Sequence, residues 1–181
     1  MQRSIKKIAV LGSGVMGSRI ACHFAGIGVE VLLLDMLAPG SNESTKAKER
    51  NQLVDSSLQA AIKSNPSPLY LQKFTQNIST GNFTDDIAKI SNADWIIEVV
   101  VERLDIKKII YDEVEKYRKP GTLVSSNTSG IPIHLMAEGR SDDFQKHFCG
   151  THFFNPPRYL RLLEIIPTTK KDPSIVDFHM H

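Results

Sequence analysis

Two short runs made wholly of apolar residues, Ile8-Ala9-Val10-Leu11 and Val31-Leu32-Leu33-Leu34, flank a segment whose apolar residues recur at helical spacing. A strand with one wet face alternates apolar and polar residues. A run without alternation belongs to a strand covered on both faces, which is the pattern of a parallel sheet. Between the runs, Met16, Ile20, Phe24 and Ile27 lie three or four residues apart, and Gly28 closes the segment. Strand, helix and strand within about thirty residues make a βαβ unit.

The same alternation continues downstream. Trp95-Ile96-Ile97, Leu123-Val124, Cys149 to Thr151 and Leu162-Leu163-Glu164-Ile165-Ile166 are predicted strands, with a charged helix from Leu104 to Tyr117 between the first two. Strands alternating with helices predict an α/β fold with a Rossmann-type doubly wound, mostly parallel sheet. The interruption between Pro39 and Thr80 contains Leu53, Val54, Leu58, Ala61 and Ile62 on one helical face. It is expected to be a helical insertion after the second strand, about residues 42–74, projecting from the sheet. Asn65-Pro66-Ser67-Pro68 should stop its helix, because proline disfavours helical geometry before it and cannot donate to the ladder.

Composition limits the rest. A chain of 181 residues with 41% hydrophobic content buries one core, so residues 1–181 are expected to form one domain. Its 22 Lys and Arg nearly balance 20 Asp and Glu, which leaves no global field to favour nucleic acid or an anionic membrane. Cys22 and Cys149 are too few for a disulfide framework and suit a reducing, cytoplasmic setting. Arg3, Lys6 and Lys7 precede an apolar run as in an export signal, but glycines and Arg19 break that run. No stretch approaches the roughly 20 apolar residues of a membrane span, and no Cys/His spacing of the metal-binding kind occurs.

The turn between the first strand and its helix reads Gly12-Ser13-Gly14-Val15-Met16-Gly17, and Asp35 closes the second strand. Gly12 permits the tight turn, Gly14 lets backbone approach a pyrophosphate, and Gly17 allows close contact of helix and strand. The N–H groups of Val15, Met16 and Gly17 at the helix start offer themselves to phosphate oxygens. Asp35 can accept from the ribose hydroxyls and repels a 2′-phosphate, and Met36 brings no positive charge. The expected cofactor is therefore NAD rather than NADP.

A second group of polar residues lies in the other half. His152 follows a predicted strand, and Glu164 lies on the next one. A neutral imidazole can take a proton from an alcohol, and a carboxylate on its other nitrogen fixes the tautomer and stabilises the imidazolium. Asn127 and Ser129 follow the Leu123-Val124 strand, at the carboxyl edge where such sheets bind ligands. Taken alone, a histidine followed by two phenylalanines is more commonly a core residue.

Four segments together resemble the NAD-binding domain of the L-3-hydroxyacyl-CoA dehydrogenases of fatty-acid β-oxidation. They are Val10 to Ser18, Val99-Val100-Val101-Glu102-Arg103-Leu104, Ser126-Asn127-Thr128-Ser129, and Gly150-Thr151-His152-Phe153-Phe154-Asn155-Pro156 followed by Leu163-Glu164. The resemblance implies that His152 is the catalytic base, Glu164 its orienting partner, Ser129 a contact to the substrate oxygen and Asn155 part of the same pocket. It implies that Glu102 and Lys107 lie along the cofactor; Asn127, from its place on the loop, is expected to reach the cofactor and the reacting oxygen. The expected activity is NAD-dependent oxidation of (S)-3-hydroxyacyl-CoA to 3-oxoacyl-CoA. Two alternatives stay open: a related hydroxy-acid or sugar-acid dehydrogenase, and an NAD-binding module silent without a helical domain.

In two respects the sequence departs from that family. Gly130 stands where a second serine is usual, and the chain stops at His181 where the family continues into a helical dimerisation domain. That domain is expected to be absent here, and Asp172 to Asp177 to begin a helix. A homodimer and a hydratase partner or fusion are implied for the longer enzyme. Lys46, Lys48, Arg50 and Lys63 on the insertion are candidates to meet CoA phosphates, although a charged helix face is commonly just solvated. His23, His134, His147, His179 and His181 have no matching partners and read as structural or surface residues.

Overall fold

In a computed structural model, residues 4–42, 44–170 and 172 are described. Seven strands form one sheet: β1 (Lys7–Leu11), β2 (Glu30–Asp35), β3 (Ile78–Asn82), β4 (Trp95–Glu98), β5 (Leu123–Ser126), β6 (Phe148–Phe153) and β7 (Leu163–Pro167). Their order is β3-β2-β1-β4-β5-β6-β7. The first six are parallel, and β7 runs antiparallel to β6 along the edge. Chain direction across the sheet reverses between β1 and β4, the crevice where doubly wound sheets receive ligands.

Alternate residues of the apolar runs feed two cores. Ile8, Val10, Val31 and Leu33 face one layer with α1 (Val15–Gly26) and α3 (Gln52–Ile62). Ala9, Leu11, Leu34 and Ile96 face the other, where Tyr111 of α4 (Leu104–Tyr117) meets Phe144 of α6 (Asp142–Lys146) and Phe148. Trp95, Ser125 and Thr151 carry a buried polar ladder across β4, β5 and β6: the indole N–H and the Thr151 hydroxyl both donate to the Ser125 hydroxyl, at 2.9 and 2.6 Å. At the end of α1, the Val29 N–H returns to the Phe24 carbonyl and the Gly28 N–H to that of Ala25. This pair of hydrogen bonds requires the positive φ of 91° that Gly28 adopts.

The expected strands and the helix from Leu104 to Tyr117 are present, but the insertion differs from expectation. Its helices, α2 (Ala47–Arg50) and α3, do not project from the sheet. Val54 and Leu58 are buried in the same core as α1, and Ala61 of α3 is buried as well. The insertion is also tied to the sheet edge, by Thr80 donating to Asp55 at 2.6 Å and Asn82 to Asn51 at 2.7 Å. The edge strand itself, β3, was not legible in the sequence. Its Ile78-Ser79-Thr80-Gly81-Asn82 lacks an apolar run, and it is held by pairing with β2 and by polar side chains. Short helices, α5 (Ile133–Ala137) and α6, fill the connection between β5 and β6. The expected helix at 172–177 lies outside the described residues apart from Asp172, as do His179 and His181.

Candidate active site

The glycine turn leaves β1 at the reversal point. Gly12 has φ +108°, and an added Cβ would lie 2.6 Å from the Val99 carbonyl oxygen. A Cβ on Gly17 would lie 1.8 Å from the carbonyl oxygen of Gly12. These two glycines are required by the protein itself. Gly14 is different, since a Cβ there would meet nothing within 4 Å. Protein packing does not explain that glycine, whereas a ligand lying against its backbone does.

Gly14 caps α1 without a side-chain hydrogen bond, and the first turn of the helix carries no acidic residue. The uncommitted N–H groups of Val15, Met16 and Gly17 and the positive end of the helix dipole therefore suit a pyrophosphate. Asp35 lies at the end of β2, where its Oδ2 accepts from the Ser13 N–H and the Ser13 hydroxyl, both at 2.5 Å. Turn and acid are thus in direct contact, and Ser13, which sequence reasoning passed over, is the link. Turn, helix start and carboxylate fit a dinucleotide: phosphates on α1 and ribose at Asp35.

His152 and Glu164 are directly opposite one another in the antiparallel pairing of β6 with β7. The imidazole Nδ1 lies 2.8 Å from Glu164 Oε2. The ring is 22% exposed and packs beside Phe154, with centroids 4.6 Å apart. With the carboxylate accepting from Nδ1–H, the lone pair is on Nε2, and that atom is the available base.

The loop after β5 lies at the same end of the sheet, because Ser126 pairs with Gly150 of β6. Glu102 holds this loop: its Oε1 accepts from the Thr128 hydroxyl, the Ser129 N–H at 3.1 Å and the Gly130 N–H at 3.0 Å. Burial alone would raise the Glu102 carboxyl, but the Thr128 hydroxyl, the Gly130 N–H and the Lys107 ammonium outweigh it and hold the group at about 2. Asn127 uses its Oδ1 to accept from the Phe153 N–H at 2.8 Å, tying the loop to the strand that carries His152. Asn155, on the exposed turn beyond β6, accepts from Arg19 of α1 at 2.8 Å.

Two expected ligand contacts take another position. Lys107 is only 1% exposed, with its ammonium 2.8 Å from Glu98 and 3.3 Å from Glu102, so it meets the site through Glu102. Arg50 is not a phosphate contact. It is 7% exposed, and its guanidinium forks onto Asp85 at 2.8 and 2.6 Å. Lys46, Lys48 and Lys63 are exposed. Glu98 is a buried acid that sequence reasoning missed. The available signal was an acid ending an apolar strand, the same position that Asp35 occupies in β2. Among the described residues no cluster of His, Cys, Asp or Glu is placed to hold a metal ion.

Residues 7–181 match the family described as 3-hydroxyacyl-CoA dehydrogenase, NAD binding domain. The chain belongs to this family. It is 52% identical, over 98% of its length, to a probable 3-hydroxyacyl-CoA dehydrogenase of Bacillus subtilis, of which it spans 24%. It is 40% identical, over 92% of its length, to a putative fatty acid oxidation complex trifunctional enzyme of Rickettsia felis, of which it spans 22%. Among solved structures, 3-hydroxybutyryl-CoA dehydrogenase from Escherichia coli K12 superposes with a TM-score of 0.72 at 28% identity, covering 97% of this chain and 35% of that one. The chain spans between about a quarter and a half of the length of the curated relatives it matches. NAD is the cofactor of this domain family, in agreement with the glycine turn and Asp35.

Proposed function

We propose that this domain carries the cofactor site and the proton-transfer residues for NAD-dependent oxidation of (S)-3-hydroxyacyl-CoA to 3-oxoacyl-CoA in fatty-acid β-oxidation. The observation that carries the proposal is the His152–Glu164 pair, 2.8 Å apart on adjacent strands. The names of the relatives support the substrate class.

His152 Nε2 accepts the proton of the substrate's C3 hydroxyl. Glu164 keeps Nδ1 protonated and stabilises the imidazolium that forms. Ser129, on the loop clamped by Glu102, donates to the reacting oxygen, and Asn155 borders the same pocket. Gly14, Val15, Met16 and Gly17 hold the pyrophosphate, Asp35 the adenine ribose, and Glu102 with Asn127 borders the nicotinamide end, backed by Lys107. NAD, when bound, would take the hydride that leaves C3 of the substrate, and the chain's own work is to orient and to move the proton. Within the longer enzyme we place a helical domain closing the cleft, a homodimer, and a hydratase as partner or fusion. Cys22 and Cys149 are both buried and suit a cytoplasmic setting, and no described helix is long and apolar enough to cross a membrane.

Loss of NADH absorbance on adding acetoacetyl-CoA, with NADPH as comparison, tests the reading. Turnover with NADH supports it. NADH binding without turnover supports a second reading, favoured by the fraction of the relatives' length this chain spans: a cofactor module that needs further chain. Turnover of small hydroxy acids instead would overturn the substrate assignment.

A further inference from the structure

Behind the Ser129 loop lies a group of buried polar side chains to which the proton-transfer chemistry gives no task. Glu98, Tyr111 and Ser126 have no exposed surface, and Lys107 has 1%. The Glu98 carboxylate receives four donors. Its Oε1 accepts from the Val100 N–H at 2.7 Å and from Lys107 at 2.8 Å. Its Oε2 accepts from the Tyr111 hydroxyl at 2.7 Å and the Ser126 hydroxyl at 2.6 Å. A buried carboxylate with every lone pair engaged and a cation alongside is held in one geometry, because any displaced donor would be left unpaired away from water. Proximity to Glu98 is also part of why the Tyr111 hydroxyl is pushed well above its ordinary range, after burial itself.

Both ends of the substrate loop hang on this one group. Ser126 is the root of the loop and bonds Glu98 directly. The Asn127 N–H also donates to the Glu98 carbonyl at 2.8 Å. The tip, Thr128 to Gly130, bonds Glu102, and the route from Glu102 back to Glu98 is the Lys107 ammonium. We infer that Glu98 is a positioning residue that sets Ser129, through Ser126 at the loop's root and through Lys107 and Glu102 at its tip. This rests on the reading of Ser129 and Glu102 as part of the cofactor and substrate site. Gly130 sharpens the need for such an anchor, since it brings no side chain to stiffen the tip.

Glu98→Gln tests the inference. The amide keeps the volume, and its N–H groups can be received by the Tyr111 and Ser126 hydroxyls, which accept as well as donate. What is lost is the charge facing Lys107. Tyr111→Phe is the control, removing a donor from the same carboxylate but no link to the loop. Amide hydrogen exchange on the 181-residue chain, without ligand, reads the outcome. Glu98→Gln should speed exchange at the Ser129 and Gly130 amides by about tenfold or more relative to both wild type and Tyr111→Phe. It should also weaken NADH binding, which Tyr111→Phe leaves unchanged. Equal protection of those amides in Glu98→Gln and wild type, or equal loss in both variants, would overturn the inference. If Glu98→Gln does not fold, Lys107→Met cuts the same route one link further on and must expose the same amides. Failure of the wild type to bind NADH would count against the cofactor reading alone, because the exchange measurement does not depend on it.

Discussion

Gly14→Ala should separate folding from cofactor binding. The added methyl meets nothing within 4 Å in the protein, and Gly14 has φ −56°, where alanine is unstrained. Alanine lowers the entropy of the unfolded chain but is a poorer helix cap than glycine, and the two effects oppose each other within about 1 kcal/mol. For a domain of this size that is a change in Tm of about 2–4 °C at most. In the proposed cofactor site the same methyl stands where a phosphate would approach the backbone. Displacing one N–H bond to a charged oxygen is worth about 1.5–3 kcal/mol, so NADH affinity should fall roughly 10- to 150-fold. Gly17→Ala is the contrast: its methyl would overlap the Gly12 carbonyl at 1.8 Å, and overpacking of that kind costs about 3 kcal/mol or more. Titration of nicotinamide fluorescence and a thermal melt on both variants give the answer. Unchanged NADH affinity in a normally folded Gly14→Ala protein would refute the placement of the pyrophosphate at the start of α1.

His152→Gln should lower turnover by about 100- to 10,000-fold, the usual contribution of a positioned base, with NADH affinity unchanged; wild-type turnover would remove His152 from the mechanism. Asp35→Ser should narrow the preference for NADH over NADPH about tenfold or more, since the carboxylate that repels a 2′-phosphate is gone, and paired dissociation constants will read the change. Glu102 ionises at about 2 when folded, against 4.5 ordinarily, so a depressed carboxyl contributes stability that is complete above about pH 4.5 and fades as pH falls toward 2. Acid denaturation of Glu102→Gln should lack this component, and a curve identical to wild type across that window would refute the assignment of the loop to the Glu102 carboxylate.

The strands buried on both faces were legible because burial erases alternation, and the run before Gly12 needs no tertiary information to be recognised. β3 was not, because Ser79, Thr80 and Asn82 give it the composition of a loop. Its strand character comes from pairing with β2, and its side chains are satisfied by the insertion: Thr80 by Asp55, Asn82 by Asn51. For the same reason the insertion looked like a projection, since the polar residues that fasten it have their partners on that unrecognised edge. Arg50 illustrates the error. In sequence it is one of a row of cations, and only Asp85, 35 residues away, shows it to be a structural ion pair.

At the site, the residues to which the proposal gives a ligand contact are legible in the sequence, and those that hold them are not. His152 and Glu164 are readable as an acid–base pair, yet their meeting depends on β7 turning back along β6. An antiparallel neighbour brings residues twelve positions apart directly opposite, as the His152–Glu164 register shows, whereas a parallel neighbour needs a longer crossover to return in the same direction. Glu98 is marked in the sequence only as an acid ending an apolar strand; its four donors, from Val100, Lys107, Tyr111 and Ser126, are not legible there. Sheet order places β5 beside β4, and that adjacency brings Ser126 onto the carboxylate while α4 supplies Lys107 and Tyr111 from behind. The same strand end thus fixes the loop bearing Ser129 before any ligand arrives. In the proposed reaction the substrate oxygen would then meet a donor already oriented, with the ordering of this loop built into folding rather than left to the binding step.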